Sequence, residues 1–171
     1  MAIRSLSHRA ITPTATADTT NLVDSTYPFA IQGASGTQRT NITEIFIGGQ
    51  AAASAPTFMC FGRDSQIATG ALTADATMND APIQAPTAAL AAAVATFNKA
   101  ATNKPQRSVT LGCLVNLSLN CFGGIVRWVA PDVRSFISMV GNTASLGECS
   151  LSAFSGGTAG AMGAHLMYET D

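Results

Sequence analysis

The chain has 171 residues, of which 47% are hydrophobic and only 11% are Asp, Glu, Lys or Arg, with a formal net charge of −1. That length suits one domain with a full core, and the near-zero charge removes the pull that bulk binding to nucleic acid or an acidic membrane surface requires. An ordinary soluble domain carries roughly 25% charged residues, so a surface filled instead with Ala, Thr, Ser, Gly and Asn is expected to be covered by partners, because flat contact there desolvates little charge.

The first residues, MAIRSLSHRA, lack the apolar run of a signal peptide, and no segment reaches the roughly 18 apolar residues of a membrane span. The product is therefore expected in a cytoplasm unless it leaves inside an assembly. Residues 1–26 place Arg4, His8 and Arg9 before any acid and then turn Thr/Ala-rich without helical or strand periodicity. They read as an extended arm that lies across a neighbour, which makes Arg4, His8 and Arg9 candidate interface residues. Residues 27–171 read as one domain, and deletion of 1–20 is expected to weaken attachment to an assembly without unfolding it.

Short strand signals follow at 27–32, 42–47 and 57–61, punctuated by GASG (33–36), GGQ (48–50) and Pro56. Residues 71–107 break that rhythm. Pro82, Pro86 and Pro105 bracket an alanine-rich run, and a long excursion is expected there, with one short helix between 86 and 98 anchored by Leu90, Val94 and Phe97. The clearest pattern is 109–121, where every odd position (Val109, Leu111, Cys113, Val115, Leu117, Leu119, Cys121) is apolar and most even positions are small or polar. Side chains alternate across a pleated strand, so this is a strand with one dry face. Further strands are expected at 125–129, 133–140, 146–154 and 161–168, separated by turns rich in Gly, Pro, Asp and Asn. About eight strands at this spacing predict an all-β antiparallel sandwich, jelly-roll-like in arrangement.

Cys60, Cys113, Cys121 and Cys149 show neither a C-x-x-C nor a zinc-ribbon spacing. Cys113 and Cys121 fall on the apolar phase of the long strand and Cys149 shares a phase with Leu151, so buried thiols are expected in preference to a disulfide. Nucleophilic catalysis needs a nucleophile, a base and an orienting group. The only histidines are His8 in the arm and His165 in the last strand, where an edge or interface role is expected. No enzyme activity, metal or cofactor is expected. Two of the scattered acids could meet as a glycosidase-like pair, but nothing singles one out. Glu44, Glu148 and Glu169 are expected to pair with Arg63, Arg127 or Arg134 across a sheet or a subunit boundary. Trp128, within IVRWV, is expected to pack in the core or anchor an interface.

The segments GGIVRWVAP (123–131), GECSLSAFSGGTAG (147–160) and AHLMYE (164–169), with APTFMCFGRDS (55–65) and KPQRS (104–108), resemble small structural proteins of tailed-phage virions, of the capsid decoration or cement type. That resemblance implies a jelly roll or related sandwich, self-association as a trimer, and attachment to the major capsid protein lattice on the outer face of an icosahedral head. It carries over no ligand. A receptor- or carbohydrate-binding sandwich of a phage tail, with Trp128 or Tyr27 as stacking platform, and another self-assembling shell subunit are the alternatives.

Overall fold

The computed structural model describes residues 2–13, 29–32, 39–66, 78–82, 96–97, 106–107, 113–140, 147–153, 158 and 160–170. Within them the protein is all β, two antiparallel sheets packed as a sandwich. The first sheet contains β10 (Ile137–Val140), β3 (Arg39–Gly49), β12 (Met162–Thr170), β1 (Ala2–Ile11) and β5 (Met78–Pro82) in that order, with β9 (Ile125–Val129) also paired to β3. The second runs β6 (Thr96–Phe97), β2 (Phe29–Gln32), β11 (Glu148–Ala153), β4 (Pro56–Gln66) and β7 (Gln106–Arg107), with β8 (Cys113–Asn120) also paired to β4. These orders do not display the jelly-roll connectivity expected from the strand count.

One contiguous core lies between the sheets. Leu6, Ile42, Ile45, Ile47, Met139, Leu166 and Tyr168 enter it from the first sheet, and Ile31, Met59, Phe61, Leu117, Leu119 and Leu151 from the second. The alternation in β8 does what period 2 requires, with Leu117 and Leu119 inward and Asn116 and Ser118 exposed. Arg63 adds a polar tie between the layers. Its guanidinium leaves β4 and donates to the Ser138 carbonyl on β10 at 2.7 Å.

Two of the places where the chain changes sheets, between β3 and β4 and between β8 and β9, form corners that interlock. Gly49 donates to the Gly124 carbonyl (2.8 Å), Ala51 to that of Cys121 (2.9 Å), and Cys121 to that of Ala55 (2.9 Å). The Asn120 side chain accepts from the Ala55 and Phe122 amides, both at 3.0 Å. A β-carbon on Gly49 would overlap the Cys121 backbone, and one on Gly124 the Asn120 carbonyl, so these backbones meet only as glycines.

Four expectations need correction. Residues 2–11 are not an arm outside the domain: β1 lies between β12 and β5, paired from Ala2↔Thr170 to Ile11↔Met162, with Leu6 in the core. Its Ser-rich alternation carries too few apolar side chains to read as a strand alone, and the pairing partners 160 residues away supply the missing backbone bonds. The rest of the expected arm lies outside the described residues, apart from Thr12 and Pro13. The excursion over 71–107 is in part sheet, because Met78–Pro82, Thr96–Phe97 and Gln106–Arg107 pair with β1, β2 and β4. Thr96–Phe97 also takes the end of the expected helix, whose remainder lies outside the described residues.

The strand expected at 133–140 begins only at Ile137. The Asp132 carboxylate accepts from the amides of Arg134 (2.8 Å) and Ser135 (3.2 Å), which folds 132–135 into a turn. Finally, Cys60 and Cys113 are joined in a disulfide, while Cys121 and Cys149 are free and buried as expected. The register shifts between Phe61↔Val115 and Gly62↔Cys113, so Leu114 is an extra residue in β8. A one-residue bulge flips every side chain beyond it to the other face. Cys113 therefore leaves the dry phase and meets Cys60 on the outside of the second sheet.

Candidate functional site

The outer face of the first sheet is set by what its strands bury. Trp128 and Val126 on β9 pack against the core, as do Ile45 and Ile47 on β3 and Leu166 and Ala164 on β12, so the residues between them point outward. Register then fixes three rows. Val129, Glu44, Met167 and Ser5 stand abreast across β9, β3, β12 and β1; Arg127, Phe46, His165 and Ser7 form the next row; Ile125, Gly48 and Gly163 the third. Ile125 is 69% exposed and Val129 46%.

Within these three rows Glu44 and Arg127 are the acid and the permanent cation, and they neutralise each other; Glu169, opposite Ile3 and Asn41 in the next row of β12, is a further acid on the same face. Arg127 donates from Nε to Glu44 Oε1 and from its second terminal nitrogen to Oε2, both at 2.8 Å, the two-pronged geometry that suits guanidinium and carboxylate. Those hydrogen bonds hold the Glu44 carboxyl below its usual range and push Arg127 up. The sequence expectation of a cross-sheet partner for Glu44 is met within the chain. What remains in the three rows is Val129, Met167, Phe46 and Ile125 with two glycines, beside Ser5, Ser7 and His165. A cleft of about 360 Å³ opens at their end, lined by Phe46, Gly48, Gly49, Ile125, His8 and His165 among others.

The five residues singled out from the sequence are thus dispersed. His165 stands on the outer face, and pairing of β1 with β12 brings His8 to the same cleft, although His8 is itself buried opposite Ala164. Arg4 stands opposite Tyr168, on the inward side of β1. Arg9 lies in β1, its side chain outside what the structure describes. Trp128 is opposite Ile45 and packs against the core, so it is not an outward stacking platform. Glu44 and Arg127 were named only as a pair, and Phe46, Ile125 and Val129 were not singled out; for Ile125 and Val129 the alternation within IVRWV was the available signal.

A second cluster sits on the outer side of the second sheet. Asp64, Arg107, Glu148, Ser150 and Ser152 are all buried there. Arg107 donates to the carbonyls of Cys60 and Ser150, both at 3.2 Å, and to the Ser152 hydroxyl, while its other terminal nitrogen lies 3.5 Å from Asp64 Oδ1. Ser150 donates to the same oxygen at 2.7 Å. Burial pushes the Asp64 carboxyl up to about 7, against the opposing influence of Arg107 and of hydrogen bonds from Ser150 and with Glu148. Asp64 and Glu148 are therefore an acid pair brought together by the fold, but both are buried, and an acid pair that works on a substrate must reach it. Their arrangement is that of a clamp between β4, β7 and β11.

This clamp makes stability depend on pH. A carboxyl whose folded pKa is raised takes up a proton that the unfolded chain has released, so stability falls as pH rises from its ordinary value near 3.8 toward about 7 and then levels off. The melting temperature is expected to drop by several degrees between about pH 5 and about pH 8. Asp64→Asn should flatten that slope in calorimetric scans, and an unchanged slope would assign it to other groups.

Among the described residues no group of three or more His, Cys, Asp or Glu is placed to hold a metal ion. Comparison of the chain with protein-family models, with curated proteins and with solved structures gives no match.

Proposed function

We propose that this protein is a virion structural subunit, a decoration protein that associates with copies of itself as a trimer and with the capsid lattice of a tailed-phage head, and that the outer face of the first sheet is covered in that assembly. The observation that carries the self-association is the pair of exposed apolar side chains Ile125 and Val129 on the pleated face where Glu44 and Arg127 cancel. Interface cores are poor in charge, and exposed apolar surface on a soluble domain marks contact sites when it is contiguous. The assignment to a phage head rests on the resemblance of the strand and turn segments described above. Low overall charge supports the same reading, since symmetric assemblies bury extensive surface with little to desolvate.

Light scattering behind a sizing column tests the reading directly. A stable trimer, present also in purified particles, is the expected result, and a monomer absent from particles overturns it. The double substitution Ile125→Asp and Val129→Asp should convert the oligomer to monomer. It should leave the melting of the separated chain within about 0.5 kcal/mol of native stability, because both side chains are on the surface. A variant that stays trimeric would move the interface elsewhere.

A further inference from the structure

We propose that Cys60 and Cys113 form an exchange-active latch, open as two thiols in a reducing environment and closed by a low-molecular-weight disulfide of the glutathione type, which fastens the intervening stretch of chain to the second sheet. The two α-carbons are 5.6 Å apart and the residues 53 positions apart in sequence, so the bond closes a loop that contains β5, β6 and β7. β7 carries Arg107, which donates to the carbonyl of Cys60 itself. The latch and the Arg107 contact therefore meet on the same residue of β4.

The asymmetry of exposure sets the chemistry. Cys113 is exposed, whereas Cys60 is 4% exposed. An incoming thiolate reaches the Cys113 sulfur first. In the closing direction the Cys113 thiol gives its proton to solvent and its thiolate attacks the small disulfide, expelling one small thiolate and leaving a mixed disulfide on Cys113. The Cys60 thiol then gives its proton to solvent and its thiolate attacks the Cys113 sulfur, expelling the second small thiolate; the two small thiolates take up the two protons released. Two protein thiols are oxidised and one small disulfide is reduced to two thiols. Opening runs the same steps backwards.

The other cysteines do not divert this exchange. Cys121 and Cys149 are buried, and burial pushes the Cys149 thiol up to about 12, so it presents almost no thiolate at neutral pH. One pair can close, and no scrambled partner competes with it. The bulge at Leu114 is what builds this pair, because without it Cys113 would face the core and Cys60 would not.

Thiol counting on the full-length protein, with and without denaturant, tests the latch. Protein prepared under air should show no reactive thiol when native and two when denatured. Treatment of the native protein with dithiothreitol should raise the denatured count to four and lower the melting temperature by about 8 °C, and glutathione disulfide should reverse both changes. Cys113→Ser should melt with the reduced wild type and ignore reductant; should that variant fail to fold, the wild-type titration decides alone. A bond that opens only in denaturant, a reduced protein with unchanged melting, or four thiols surviving glutathione disulfide would overturn the proposal.

Discussion

A chain lacking residues 2–11 will fail to fold. β1 bonds to β12 on one side and β5 on the other, so its loss strips an entire strand from the first sheet and leaves the backbone groups along β12 facing nothing. It also removes Leu6, which is 1% exposed, from the core. Losing a buried leucine alone costs about 2–5 kcal/mol, and a domain has roughly 5–15 kcal/mol in total, so the leucine and the missing ladder together exceed what remains. Circular dichroism and calorimetry on the truncated chain should show no cooperative transition. Leu6→Ala, by contrast, should fold with a transition lowered by about 3 kcal/mol. A truncated chain that melts like the full one would restore the arm expected from composition.

Arg107→Leu should destabilise the protein by about 3–5 kcal/mol, because it leaves a buried carboxyl pair without the guanidinium that faces it. The Cys60 and Ser150 carbonyls and the Ser152 hydroxyl lose a donor at the same time. Much of that penalty belongs to the charge left behind, so the double variant Arg107→Leu, Asp64→Asn should recover a substantial part of it. Urea denaturation of the four chains of this cycle measures the coupling. A single-variant loss below about 0.5 kcal/mol would mean that the clamp contributes no more than an ordinary surface pair.

The clamp and the latch occupy the same side of the second sheet, joined at Cys60, whose carbonyl accepts from Arg107 and whose sulfur binds Cys113. The outer face of the first sheet has a different character, with Glu44 and Arg127 paired and Ile125 and Val129 open to solvent.

The all-β class and several strands were legible because they depend on local pattern. Leu117, Leu119 and Cys121 face the core as their spacing requires, and the corners fall where Gly, Pro and Asn interrupt the runs. β1 was not legible, since Ser5, Leu6, Ser7 and His8 form a strand only once Met167, Leu166, His165 and Ala164 lie opposite. Nor was the partner of Cys113, because one unpaired residue at 114 reverses the phase. IVRWV could have buried either of its faces, and only docking of Val126 and Trp128 on the core turned Ile125 and Val129 to solvent. Period and turn chemistry are properties of neighbouring residues, so sequence determined them; register, bulges and the meeting of Asp64, Arg107 and Glu148 join distant residues through backbone pairing, and the tertiary structure alone decided those.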